Sequence, residues 1–225
     1  MSFTPLPKIF TDTCTLPGLS CPQILELGCG DGCFREILTR QGLDSWGLDR
    51  SGAELGSVAD VVGDALSPPI LAGSVDILLA PNLVRHLLPA DPALGFLARW
   101  LDLLKPGGSL FIFEDEPGDT PAGAAHFKDL IEFLSRLLPE SRGSMLPLSE
   151  FQALVNSLGL TARWEFGLVR NRYTINAAAV VEWLGIGDPV KGRVKRLIEG
   201  IGRDGLDPGY FWWARAQNAC EGTGS

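Results

Sequence analysis

The sequence predicts an α/β fold, a doubly wound and mostly parallel sheet with helices on both faces. Short apolar runs alternate with glycine-marked turns and amphipathic helical stretches, the rhythm of right-handed βαβ crossovers. One run, Val75–Ala80 (VDILLA), is continuously apolar, as a parallel strand buried on both faces must be. Of the 225 residues 45% are apolar and 20% charged, which suits a large buried core and not a disordered chain. With no internal repeat, low-complexity tract or long linker, residues 1–225 read as a single domain.

The elements follow in order. Gln23–Leu27 is a buried strand, and Gly28–Gly32 is a glycine-rich turn. A helix from about Cys33 to Arg40 places Phe34, Ile37 and Leu38 on one face, with Gly42 as its C-terminal stop. Ser45–Leu48 and Val58–Val62 read as short strands before Val75–Ala80. Asp91 and Pro92 read as N-cap and first residue of a helix whose core face is Leu94, Leu97, Leu101 and Leu104. Lys105-Pro106-Gly107-Gly108 ends it and turns into a strand at Leu110–Phe113. Ala125–Leu138 carries a helical apolar stripe. Ser149 and Gln152 form a capping box before a helix closed by Gly159. Thr161–Val169 alternates as a strand, 176–202 reads as helix, and Tyr210–Ala214 as a last strand.

Composition narrows the function. The formal charge is −8, from 27 acidic and 19 basic residues, which disfavours the phosphate backbone of nucleic acid as a partner. Residues 161–225 reverse the balance, with 7 acidic and 9 basic, several in the helical stretch Lys191, Arg193, Lys195, Arg196 and Arg203. That stretch reads as a solvated face or as a contact for an anionic substrate or partner. No run of 18 apolar residues predicts a membrane helix, and the N-terminus lacks the apolar core of a secretory signal. Five cysteines (Cys14, Cys21, Cys29, Cys33, Cys220) form no CxxC pair and have no histidines at zinc spacing. The expectation is a cytoplasmic protein with reduced thiols and no metal.

The chemistry lies in Glu26-Leu27-Gly28-Cys29-Gly30-Asp31-Gly32. Glycines let the chain turn off the strand and bring backbone N–H groups to a ligand with no Cβ in the way. The helix that follows presents its positive end to that ligand. Asp49, 21 residues after Gly28 at the end of the next strand, is placed to accept both hydroxyl hydrogens of a ribose. The dinucleotide fingerprint G-x-G-x-x-G requires a third glycine where Cys33 stands; the glycine falls one residue earlier, at Gly32, which counts against a nicotinamide cofactor.

The pattern E-x-G-x-G-x-G resembles motif I of the class I S-adenosylmethionine-dependent methyltransferases. Gly47-Leu48-Asp49-Arg50-Ser51 is similar to that family's second motif, and Val62-Gly63-Asp64-Ala65-Leu66 to its third. Val75-Asp76-Ile77-Leu78-Leu79-Ala80-Pro81-Asn82 resembles the fourth-strand motif beside the methyl donor, and Leu103–Leu110 the helix-turn-strand signature. These motifs span about residues 23–113. The resemblance implies a Rossmann-like, seven-stranded sheet with its last strand antiparallel, and the segments near 162–169 and 210–214 fit the last two strands. The chain departs from the family in the long interval between Val169 and Tyr210. Segments 114–150 and 170–209 are therefore expected to form a substrate lid or a dimer surface.

The resemblance further implies transfer of a methyl group from S-adenosylmethionine to an O or N nucleophile of a small molecule, by a monomer or homodimer. The cofactor would be held by Glu26, Gly28, Cys29, Gly30, Asp31, Gly32, Asp49, Arg50, Asp64, Ala65, Pro81 and Asn82. Glu26 and Asp31 would face its amino end, Asp49 the ribose and Asp64 the adenine amine. Arg50 reads as stacked on adenine or as facing solvent. His86 follows the fourth strand as a candidate base, and His126 is the other histidine; each also reads as a packing or surface residue. Glu114, Asp115 and Glu116 read as substrate contacts or as a solvated acidic loop. Trp164, Trp183, Trp212 and Trp213 read as core or as a cage for a quaternary ammonium. An NAD-dependent oxidoreductase and a non-catalytic S-adenosylmethionine-binding module are the alternatives.

Overall fold

A computed structural model describes residues 8–14, 21–52, 58–116, 146–170 and 210–218. Their strands form one seven-stranded sheet, in which the apolar runs of the sequence lie side by side. The elements are α1 (Lys8–Cys14), β1 (Ile24–Leu27), α2 (Cys33–Arg40), β2 (Ser45–Asp49), β3 (Val61–Val62), β4 (Val75–Pro81), α3 (Val84–Leu87), α4 (Phe96–Leu103), β5 (Leu104–Glu116), α5 (Leu148–Ser157), β6 (Arg163–Arg170) and β7 (Tyr210–Gln217). The strand order is β3-β2-β1-β4-β5-β7-β6. All pairings from β3 to β5 are parallel, while β7 runs antiparallel to both β5 and β6. This is the predicted doubly wound sheet with its last strand reversed.

Side-chain alternation along the central strands divides the core between the two faces. Ile24, Ile77, Leu79, Phe111 and Phe113 pack with Phe10 of α1 and with Phe34 and Leu38 of α2. Leu25, Leu27, Leu78, Ala80, Leu110 and Ile112 pack on the opposite face with Val84 and Leu87 of α3, Trp100 of α4 and Phe151 of α5. Phe10 meets Phe111 edge to face at 5.1 Å. Trp212 is fully buried, stacked 4.7 Å from Phe151, and its Nε1 donates to the Leu146 carbonyl at 2.9 Å. The core reading holds for Trp212.

Several boundaries differ from the sequence reading, each for a tertiary reason. Only Val61 and Val62 of the predicted Val58–Val62 strand pair with β2. Val58 instead donates its N–H to the Gly30 carbonyl at 3.0 Å. Asp91 does not cap a helix beginning at Pro92. Leu94 adopts a left-handed φ of 57°, and α4 starts at Phe96, whose N–H reaches back to Asp91 Oδ2 at 3.0 Å. The Lys105–Gly108 turn lies inside β5 as an irregularity: β5 advances from Leu104 to Ser109 while β4 advances from Val75 to Ile77. The Ser149 capping box is absent, since α5 starts at Leu148 with no side-chain cap from its own flank. Its Leu148 N–H is taken by Glu116 Oε2 at 2.9 Å. The predicted helices Ala125–Leu138 and 176–202, with Lys191–Arg203, Trp183, His126 and Cys220, lie outside the described residues. Among those described, no helix is long and apolar enough to cross a membrane.

Candidate active site

The chain order reverses at β1. The loop after β1 leads to α2 on one face, and the loop after β4 leads to α3 and α4 on the other, so a crevice opens between these two strands at their carboxyl ends. Of the sequence-predicted residues, the glycines of the β1 loop and Asp49 meet here, the Gly30 N–H donating to Asp49 Oδ2. Gly28, Gly30 and Gly32 have φ of 67°, 48° and 79°, a run of left-handed residues that other side chains resist. At Gly28 a Cβ would stand 2.7 Å from Leu83 Cδ1, so glycine lets the β1 loop close onto the β4 loop. At Gly30 a Cβ would meet no atom of the described residues within 4 Å. The loop thus leaves open space in front of Gly30, the cradle expected of a ligand site.

Asp49 holds this loop in shape. Its Oδ2 accepts the Gly30 N–H at 2.9 Å and its Oδ1 the Ser51 N–H at 2.8 Å. The Gly28 and Cys29 N–H groups both point at the Leu48 carbonyl, at 2.7 and 3.1 Å. Two N–H bonds do not exhaust a carboxylate, which has about four lone-pair sites, so Asp49 retains acceptors for a diol. Asp49→Ala is expected to weaken S-adenosylhomocysteine binding by about 1–3 kcal/mol in titration calorimetry. Unchanged affinity would remove Asp49 from the site.

Glu26 is the most unusual group. It is only 2% exposed, and among the described residues its Oε2 has no hydrogen-bond partner. Burial pushes its carboxyl up to about 8; the Arg35 guanidinium opposes that, while Asp31 and Asp49 add to it. A buried carboxyl oxygen without a donor, beside a glycine cradle, suits a cationic ligand group. The remaining acids are more exposed. Asp31 Oδ1 accepts the Cys33 N–H at 3.2 Å at the start of α2. Asp64 Oδ1 accepts the Leu66 N–H at 2.9 Å and so closes the turn after β3. Ala65 is buried, its carbonyl holding Trp100 Nε1 at 2.7 Å. Arg50 is exposed at the end of β2.

On the β4 side, Pro81 is buried and Asn82 adopts a left-handed φ of 53°, strain of the kind that gathers at functional sites. His86 follows on α3. Crowding by protein atoms and the cations Arg85 and Arg50 lower its imidazole below the ordinary value, to about 4. The residue is nonetheless exposed. Solvent screens both charges, and the ring is neutral at physiological pH.

The acidic run after the fifth strand is neither a solvated loop nor open to a substrate. β5 continues through Glu116, and all three acids are buried. Arg85, not singled out by the sequence, accounts for two of them. Its Nη2 donates to Asp115 Oδ2 at 2.9 Å. Its Nε lies 2.8 Å from Glu114 Oε2, an ion pair angled too poorly to satisfy that N–H. Its backbone N–H meets Glu114 Oε1 at 3.2 Å. The signal available in sequence was an arginine inside the apolar run Asn82–Leu88, which needs acidic company if buried. Among the described residues, no cluster of three or more His, Cys, Asp or Glu is placed to hold a metal ion.

Comparison with known proteins agrees with this geometry. A family described as "Methyltransferase domain" matches residues 25–112, from β1 through β5. A protein of Xanthomonas axonopodis pv. citri named ubiquinone biosynthesis O-methyltransferase is 26% identical over 183 residues, 72% of this chain and 74% of that protein. A solved methyltransferase-like structure from Bacillus halodurans superposes with a TM-score of 0.65 at 14% identity, covering 94% of this chain and 97% of that one. A SAM-dependent methyltransferase from Archaeoglobus fulgidus superposes with a TM-score of 0.56 at 17% identity, covering 88% and 87%.

Proposed function

We propose that this chain, whose residues 25–112 match a methyltransferase domain, is a class I S-adenosylmethionine-dependent methyltransferase that methylates a hydroxyl oxygen of a small molecule, with His86 taking the proton. The observation that carries the reading is the β1 loop: an open cradle at Gly30, braced by Asp49, beside the buried and unpartnered carboxyl oxygen of Glu26. Glu26, with Asp31, would hold the cofactor's amino end. Asp49 would take the ribose hydroxyls, Asp64 the adenine amine, and Arg50 the adenine face, while the Gly28–Gly32 backbone, Cys29, Ala65, Pro81 and Asn82 would line the same crevice. When bound, the cofactor supplies a methyl group on a sulfonium centre, open to in-line attack.

Little more is asked of the side chains than to align the nucleophile in a dry pocket and remove its proton. His86 can serve that last task because crowding by protein atoms, with Arg85 and Arg50 beside it, keeps the ring unprotonated and its lone pair free at physiological pH. The oxygen acceptor follows the O-methyltransferase named above rather than any contact in this chain. Thiol Cys14, Cys21 and Cys33 support a cytoplasmic setting. The net charge of −8 supports an acceptor other than nucleic acid, and the variable segments 114–150 and 170–209, apart from the residues at their ends that belong to β5, α5 and β6, would supply a lid or a surface for a second copy in one single-domain protein.

The test incubates the protein with methyl-labelled S-adenosylmethionine and a panel of phenols, catechols and primary amines. Label in a phenol or catechol is the expected result, and label only in an amine reassigns the acceptor. Tight NAD binding without S-adenosylhomocysteine binding would end the reading. With the acceptor so found, His86→Ala is expected to slow the single-turnover rate by roughly 10²–10⁴-fold, and an intact rate removes the base.

A further inference from the structure

Arg85 is a buried cation that the methyl transfer described above does not use. Its side chain is 10% exposed. Desolvating a guanidinium is costly unless acids surround it, and Glu114 and Asp115 do so from β5. The same Nη2 that donates to Asp115 also donates to Asn82 Oδ1. Asn82 is the left-handed residue at which the chain leaves β4, and its own N–H is held by the Phe113 carbonyl of β5 at 2.7 Å. Leu83 follows immediately and is the residue packed against Gly28 of the β1 loop. His86 stands three residues further on, next to Arg85. One guanidinium therefore ties the buried end of β5 to the turn that sets both walls of the crevice.

We propose that Arg85 is a positioning residue: by gripping Asn82 from the Glu114–Asp115 pair, it fixes the left-handed turn that seats Leu83 on the glycine loop and His86 at the crevice. The inference rests on the reading that this crevice takes the cofactor and that His86 faces its methyl end. A planar, multiply donating guanidinium can hold Asn82 and two carboxylates together, whereas a lysine ammonium keeps the charge but not the fork. Glycine at position 82 would adopt the left-handed turn with no grip at all. These two facts give a double-mutant cycle.

The cycle compares wild type, Arg85→Lys, Asn82→Gly and the double variant by S-adenosylhomocysteine calorimetry, with urea midpoints to establish folding. Arg85→Lys is expected to weaken binding about tenfold in the Asn82 background and less than twofold once position 82 is glycine. Equal losses in both backgrounds would make Arg85 a mere fastener of α3 to β5 and overturn the proposal. Imidazole NMR provides a second readout, since the chain has only two histidines. The His86 ring signals should move in Arg85→Lys and return toward wild type in the double variant; signals that stay put overturn the proposal independently of any ligand. Should Arg85→Lys fail to fold, Asp115→Asn loosens the same grip without stranding a buried cation, and the same cycle with Asn82→Gly applies. A wild-type protein that does not bind S-adenosylhomocysteine sinks the cofactor reading alone, and the His86 signals still decide the role of Arg85.

Discussion

Gly30→Val is expected to leave the protein folded while raising its dissociation constant for S-adenosylhomocysteine by a hundredfold or more. A Cβ at position 30 meets nothing within 4 Å among the described residues, so the first atom of the new side chain has room in the folded chain. What it does cost is a branched residue at φ 48°, on the order of 2 kcal/mol, well inside the stability of an ordinary domain. The added methyl groups project instead into the open space in front of the β1 loop, and a ligand seated there must retreat from the backbone it should touch. Gly32→Val is the contrasting control. Its Cβ would fall 2.5 Å from Val58 Cγ2, so that variant should lose stability in urea as well as binding. Measured by calorimetry and urea unfolding together, wild-type affinity in Gly30→Val would show that the cradle holds no cofactor.

The features that made this site legible in the sequence are local ones. The β1 strand, its glycine loop and α2 lie within eighteen residues, and α2 begins and ends where the periodicity and Gly42 place it, at Cys33 and Arg40. β4 declared itself as an unbroken apolar run. What was missed depends on partners distant in sequence. α3 is a single turn, too short for any periodicity, and is fixed by Glu114 on another strand. α1 is seven residues long and is anchored by Phe10 against Phe111 and Phe113. Ser149 and Gln152 carry a genuine capping signal, yet Glu116, 32 residues upstream of Leu148, supplies the acceptor instead. Three consecutive acids after a strand look like a solvated loop because their partners are distant: Arg85, 29 and 30 residues before Glu114 and Asp115, and the Leu148 N–H, 32 residues after Glu116. Local cap and charge patterns lose wherever a tertiary partner offers a better-placed charge.

Glu26 turns the same principle into a pH dependence. Its carboxyl titrates near 8 in the folded protein and near the ordinary 4.5 when the chain is unfolded. Between those values the folded state holds a proton that the unfolded state has released, so stability falls as pH rises through that window. The contribution is complete below about pH 4.5 and gone above about pH 8. Its full span is on the order of 4–5 kcal/mol, an upper bound because Arg35 and any relaxation of the loop reduce it. Glu26→Gln keeps the shape and removes the titration. It should therefore flatten the difference in urea stability between pH 5.5 and pH 8 and leave the variant the more stable of the two at pH 8. A cationic amine placed against the orphaned Oε2 reverses the preference, because it favours the ionised carboxylate. S-adenosylhomocysteine binding to the wild-type protein at pH 7 should then expel close to one proton. Calorimetry in two buffers of different ionisation enthalpy reads this as a difference in apparent binding heat, and Glu26→Gln should abolish that difference. Equal heats in the two buffers for wild type would place the cofactor's amino end away from Glu26, leaving a buried neutral acid whose only effect is on stability.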